Sequence, residues 1–176
     1  LGFIFAPMSP RYITPDKAGA IIAGLPVGVV PVGVFVDPDP GAVAEAVAAS
    51  RIRVAQLCGN ESPDLCRRIS LPVIKVFRPP VGSEPSPSPE EYDIFAAMVD
   101  GGGPGVYGGS GITPDLEYAR TLSLTRKLFL AGGLHPGNVA ALARRIRPYA
   151  VDVNSGTEAR PGIKDRNRVA MFCANL

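Results

Sequence analysis

Several things are scarce in this chain, and each scarcity removes a class of function. Charge of one sign is scarce: 18 Lys and Arg against 16 Asp and Glu leave a net charge of +2. That is too little for a nucleic-acid or membrane surface, so neither partner is expected. Metal-ligating residues are scarce too. The one histidine, His135, and the three cysteines, Cys58, Cys66 and Cys173, form no CxxC pair. The pattern excludes a zinc centre or a disulfide framework, no metal ligands are assigned, and unpaired thiols suit a reducing cytoplasm. No apolar run reaches the ~18 residues that a membrane-spanning helix requires, and no secretory signal pattern opens the chain. What remains is one compact domain over residues 1–176, with 46% hydrophobic residues to build its core.

Glycine is placed where it carries information. Lys127-Leu128-Phe129-Leu130-Ala131 ends in Gly132-Gly133, and Tyr149-Ala150-Val151-Asp152-Val153 ends in Asn154-Ser155-Gly156. Each segment reads as a strand followed by a turn and a helical pattern. Residues without side chains at consecutive strand ends let backbone N–H groups converge on an anion, helped by helix N-termini. In a (β/α) barrel the phosphate sits in the loops after the last two strands. A small phosphorylated molecule is the expected ligand.

The rest of the chain alternates strand and helix. Strands are expected at Leu1–Ala6, Val29–Val36, Ile52–Leu57, Val73–Phe77 and Ile94–Val99, ahead of the two glycine-ended ones. Helices are expected after Thr14-Pro15-Asp16, over Asp39–Ser50, Ser62–Ile69, Pro114–Ser123, Pro136–Arg147 and Lys164–Cys173, with a weak helical stretch near Pro89–Tyr92. Threonine or serine ahead of proline marks two of the starts. The strands are continuous apolar runs rather than alternating ones, as strands buried on both faces are. Helical crossovers are what parallel strands need. The count is seven βα units spaced roughly 25 residues apart, and a closed barrel has eight. An open doubly wound sheet would usually place its phosphate glycines after the first strand. We therefore expect an α/β chain, a (β/α)8 TIM barrel with its first βα unit absent, since the chain opens at Leu1-Gly2-Phe3 inside a strand.

Two segments break the pattern. Arg78–Glu91 is rich in proline and serine and reads as an extended, mobile surface loop, either a lid or a tolerated insertion. Gly101–Gly111 lacks the Lys-Ser/Thr of a nucleotide P-loop and suits a loop that closes over a ligand. Asp100 ends the strand ahead of it, which makes it either a member of a barrel's catalytic ring or the carboxylate of an Asx-turn. Arg11 follows the first strand and either forks onto a carboxylate or is solvated. His135 reads as a surface-turn residue. Asp152 either points inward or is a buried hydrogen-bonding group.

Taken in order, these motifs resemble the phosphoribosylanthranilate isomerases of tryptophan biosynthesis over almost the whole chain. Gly2-Phe3-Ile4-Phe5 with Ser9-Pro10-Arg11-Tyr12-Ile13 is similar to the family's second strand and loop. Val32-Gly33-Val34-Phe35-Val36 and Val54-Ala55-Gln56-Leu57-Cys58-Gly59 match its third and fourth strands. Tyr107-Gly108-Gly109-Ser110-Gly111 matches its glycine loop. Leu130-Ala131-Gly132-Gly133-Leu134 with Pro136 and Asn138-Val139, and Val151-Asp152-Val153-Asn154-Ser155-Gly156 through Pro161-Gly162-Ile163-Lys164-Asp165, match its last two units.

The resemblance implies a cofactor-free Amadori rearrangement of N-(5-phosphoribosyl)anthranilate. It implies Asp100 as general acid, Arg11 on the anthranilate carboxylate, and Gly132, Gly133, Ser155 and Gly156 around the phosphate. Asp152 would line the substrate pocket. The family's general base is the cysteine of a Lys-Ile-Cys-Gly motif on the first strand, ahead of Leu1 in that alignment. Cys66 and Cys173 fall on expected helices and do not replace it. Cys58 stands where the family usually has histidine, facing the pocket or filling apolar space. The alternative function is a non-catalytic phosphate-binding barrel. A third class, another phosphosugar barrel enzyme such as an epimerase, lacks support because its metal histidines or catalytic lysine pattern are missing. Seven strands also leave two unpaired edges. The chain expressed from Leu1 is therefore expected to be poorly soluble or oligomeric and inactive, and a restored first unit to recover both properties. A soluble, active monomer in a sedimentation and activity assay would overturn the eight-strand reading.

Overall fold

Proline and a capping side chain start each of the first three helices. Thr14 Oγ1 accepts from Lys17 N at 3.4 Å to open α1 (Pro15–Ile22). Asp39 Oδ1 accepts from Gly41 N at 2.7 Å to open α2 (Pro40–Ser50). Ser62 Oγ accepts from Leu65 N at 3.2 Å to open α3 (Pro63–Arg68). Each cap satisfies an N–H group that the helix leaves without a partner, and proline fixes φ where no donor is needed.

The computed structural model describes residues 1–101 and 114–176; all of the Gly101–Gly111 loop beyond Gly101 lies outside the described residues. Two units partition the chain, Leu1–Lys75 with Pro89–Phe95, and Val76–Ser88 with Ala96–Leu176. In the first, β1 (Gly2–Ile4), β2 (Val32–Phe35), β3 (Val54–Leu57) and the start of β4 (Val73–Phe77) pair in parallel, in chain order. Phe3 stands opposite Gly33, Gly33 opposite Ala55, and Ala55 opposite Val73. Phe5 and Phe35 pack with ring centroids 5.4 Å apart.

In the second unit β5 (Ala96–Val99), β6 (Leu128–Leu130) and β7 (Ala150–Val151) are likewise parallel and in chain order. Helices α4 (Leu116–Thr125), α5 (Val139–Ile146) and α6 (Arg166–Ala174) follow them. Met98, Leu128, Leu130 and Ile146 are fully buried in this unit, each contributing about 1.5–3 kcal/mol by leaving water. Every residue of β4 and β5 is buried, which explains why these segments read as apolar runs, broken in β4 only by Lys75.

The structure departs from expectation at the end of the chain. Lys164 does not open a helix. It lies on β9 (Ile163–Lys164), which pairs antiparallel with β8 (Glu158–Arg160). The last helix begins only at Arg166, capped by Asp165 Oδ1, which accepts from Asn167 N and Arg168 N at 2.9 and 3.0 Å. Likewise α5 starts at Val139 rather than Pro136, because residues 135–138 form a turn closed by the Asn138 side chain. Among the described residues no helix is long and apolar enough to cross a membrane.

One charged pair is buried in the first unit. Glu61 Oε2 lies 2.9 Å from Lys75 Nζ, with 0% and 4% of the two side chains exposed. Glu61 Oε1 accepts from Asp37 N and Gly59 N, each at 2.9 Å, and Lys75 Nζ donates to Gly59 O at 2.8 Å. The pair thus ties the turns after β2 and β3 to the body of β4. Removing one partner strands a buried charge. Lys75→Met is expected to destabilise the fold by about 3–5 kcal/mol. Pairing it with Glu61→Gln should recover part of that loss in urea denaturation, and additive losses would show that the two charges are not coupled.

Candidate active site

Register sets the site. Val99 pairs with Leu130 and Leu130 with Val151, so Asp100, Ala131 and Asp152 leave three neighbouring strands at one level. On the other side, Asp100 N donates to Phe77 O at 3.3 Å, which brings the residue after β4 against the residue after β5. That residue is Arg78. Its Nε and Nη2 donate to Asp100 Oδ2 at 3.2 and 3.0 Å.

Both carboxyls are perturbed in the same direction. Burial pushes the Asp100 carboxyl above the ordinary carboxylate range, against the charge and hydrogen bonds of Arg78 and the N–H of Gly101, which favour the anion. Asp152 is also raised, first by the crowding of protein around it and then by the like charge of Asp100, while Lys164 pulls it down. Asp152 is exposed, so burial does less here than the like charge of Asp100. Of the pair, Asp100 has the arginine to hold its anion, and the repulsion between the two therefore falls on Asp152.

Beside these carboxyls lie two glycine turns. Gly132 and Gly133 sit at φ 86° and 63°, the left-handed region that glycine enters without penalty. Among the described residues neither of their N–H groups is spent on a hydrogen bond. The second turn is the short 3₁₀ helix Ser155–Thr157 after β7, whose leading N–H groups have no partner within the helix. The turns touch. A Cβ on Gly156 would stand 1.9 Å from Leu134 O, so no other residue permits this approach.

Two polar side chains hold the turns. Asn138 Nδ2 donates to Gly133 O at 2.9 Å while its Oδ1 accepts from His135 N at 2.8 Å. Lys164 Nζ donates to Asn154 O and Oδ1 at 2.6 and 2.7 Å and pairs with Glu158 Oε1 at 3.5 Å. The β8–β9 hairpin therefore folds a cation back onto the second turn. Backbone N–H groups without a partner among the described residues, beside a carboxyl that holds a proton more tightly than usual, can bind an anionic ligand and protonate it.

The second unit thus brings together Asp100, Asp152, Gly132, Gly133, Ser155 and Gly156. Arg11 lies in the first unit, half-buried after β1, with its N–H on Ser9 Oγ at 3.1 Å. Cys58 is buried at the end of β3, and its Sγ accepts from Gln56 Nε2 at 3.5 Å. Burial pushes the Cys66 thiol up to about 11, which keeps it a thiol at neutral pH. His135 is exposed, its Nδ1 accepting from Gly137 N at 3.1 Å, as a surface turn requires. Among the described residues no group of three His, Cys, Asp or Glu is arranged to hold a metal.

Comparison with known proteins agrees with this geometry. The family model for N-(5'-phosphoribosyl)anthranilate (PRA) isomerase matches residues 1–175. The chain belongs to that family. The N-(5'-phosphoribosyl)anthranilate isomerase of Geobacter sulfurreducens is 41% identical over 172 residues, 98% of this chain and 84% of that protein. The crystal structure of phosphoribosyl anthranilate isomerase from Thermus thermophilus superposes with a TM-score of 0.88 at 37% identity, covering 99% of this chain and 86% of that one. A further solved relative, at TM-score 0.77 and 35% identity over 99% of this chain and 84% of its own, is in complex with reduced 1-(o-carboxyphenylamino)-1-deoxyribulose 5-phosphate. The fold class is accordingly the α/β TIM barrel of PRA isomerases.

The roles of three residues that build this site escaped the sequence reading. Arg78 was assigned to a mobile loop, and its signal was its place directly after a strand, next to the strand that ends at Asp100. Asn138 and Lys164 act through side chain-to-backbone bonds that no spacing rule announces. Gly156→Ala is expected to drive the two turns apart and weaken binding of a ribulose-phosphate product analogue in calorimetry. Unchanged affinity would move the phosphate elsewhere.

Proposed function

We propose that the chain is an isomerase of tryptophan biosynthesis that converts N-(5-phosphoribosyl)anthranilate into 1-(2-carboxyphenylamino)-1-deoxyribulose 5-phosphate. The observation that carries this is the placement of Asp100. It is a tightly held carboxyl raised by burial, at the end of a parallel strand and in the same unit as two N–H-rich glycine turns. The relative solved in complex with the reduced 5-phosphate compound supports the same ligand class.

The substrate's phosphate sits on the backbone of Gly132, Gly133, Ser155 and Gly156, where N–H groups and not side chains meet the anion. By the family pattern Arg11 takes the anthranilate carboxylate, for which a planar guanidinium fork is the natural partner. Asp152 lines the pocket. With the phosphate fixed on the glycine turns of the same unit, the furanose ring oxygen is presented to the Asp100 carboxyl. Asp100 transfers its proton to that oxygen, the ring C–O bond breaks, and the nitrogen lone pair forms the C=N bond of a Schiff base. A base then removes the proton from the adjacent sugar carbon. The electron pair left behind makes an enolamine, which takes up a proton at the anomeric carbon as the neighbouring hydroxyl becomes the ketone.

The upward shift of Asp100 serves this step. A carboxyl at its ordinary pKa is ionised near neutral pH and has no proton to give, whereas a raised one keeps a protonated fraction. Asp100→Asn keeps the shape and removes the proton. We expect kcat to fall by about 10²–10⁴ with KM little changed, measured by steady-state kinetics of substrate conversion. Near-normal turnover in that variant would remove Asp100 from the acid role.

A further inference from the structure

Asp100 is held more firmly than a strand-end carboxylate needs to be. The two hydrogen bonds from Arg78 to Asp100, from Nε at 3.2 Å and Nη2 at 3.0 Å, fall on the one oxygen Oδ2. Each side chain keeps only 11% of its surface exposed, so the pair is shielded from the solvent screening that weakens surface ion pairs. The Gly101 N–H donates to the same carboxyl. Arg78 in turn is placed by the strand register, through the Asp100 N to Phe77 O bond. Among the described residues the charged group acting on Asp100 is Arg78 after β4, whereas Asp152 after β7 feels the Asp100 charge and that of Lys164 on β9.

We infer that Arg78 is a positioning residue for the isomerase reaction: it fixes Asp100 through Oδ2 in the orientation that delivers the proton, and stabilises the carboxylate left once the proton has gone. The inference rests on the reading of Asp100 as general acid. An enclosed acid that gives up its proton becomes an enclosed anion, and an uncompensated one is strongly disfavoured. A guanidinium stays charged across the working pH range, so it is present as that anion forms and interacts with it more strongly than with the neutral acid. Such an interaction favours proton transfer over the resting acid, which is the kind that raises kcat.

The sign of the pH effect follows. Without the Arg78 charge, burial acts on Asp100 against the Gly101 N–H alone, and the acid holds its proton to higher pH. In the Arg78→Gln variant, carbon-13 NMR titration of the Asp100 carboxyl should show its pKa higher by about 1–3 units. The alkaline limb of the kcat/KM profile should move up with it, while kcat falls by roughly 10–100-fold. Arg78→Lys, the milder change, keeps the charge but loses the fork. Asp100 should then titrate close to its native position while kcat drops several-fold. Either an unmoved Asp100 titration in Arg78→Gln or native kcat in Arg78→Lys would overturn the inference. The Asp100→Asn variant separates this from the reading beneath it. If that variant keeps turnover, the acid assignment fails. If it loses turnover while Arg78→Gln leaves the Asp100 titration in place, Arg78 alone loses its role.

Discussion

Parallel pairing at the ends of β4 to β7 is the constraint on which the site depends. Parallel strands in chain order present their C-terminal residues side by side, and the observed registers put Asp100 and Asp152 at one level with Ala131 between them. The same geometry seats Arg78 on Asp100. A shift of one residue in any of these strands would turn the side chains to the opposite face. The continuous burial of β4 and β5 resists such a slip, since both faces are packed and the one charge, Lys75, is paired with Glu61. Core packing therefore decides where the proton donor stands.

Electrostatics then refine what packing places. Two raised carboxyls in one unit would repel each other, and each has its own cation: Arg78 for Asp100 and Lys164 for Asp152. The two cations differ in kind. Arg78 presents a fork to one carboxylate oxygen. Lys164 spends its ammonium on Asn154 and Glu158, so its effect on Asp152 is that of a nearby charge and its main work is to hold the second glycine turn. In the first unit Lys75 and Glu61 do comparable work, anchoring the turns after β2 and β3.

Much of this was legible in the sequence. The seven parallel strands among the described residues were anticipated because short, mainly apolar runs bounded by turn signals have few other readings. The starts of α1 to α3 were legible because Thr14 and Ser62 ahead of proline, and Asp39, are local signals with a local mechanism. Gly132, Gly133 and Gly156 stood out by position, although the reason for Gly156 is a clash with Leu134 O that only the folded chain reveals. The β8–β9 hairpin was missed. Its strands are three and two residues long, too short for any period to register, and Lys164 reads equally well as the first turn of a helix. Arg78 was missed for a different reason. Its meaning lies in a contact 22 residues away in sequence, while its neighbours Pro79 and Pro80 pointed to a loop.

The most direct test of the account is a crystal structure of this protein bound to the reduced product analogue seen with its relative. The account predicts phosphate oxygens within hydrogen-bonding distance of the Gly133 and Gly156 N–H groups. It also predicts that the Asp100 carboxyl, still held by Arg78, faces the oxygen of the sugar that leaves the ring. A phosphate bound away from the two glycine turns, or an Asp100 turned from the sugar, would contradict it.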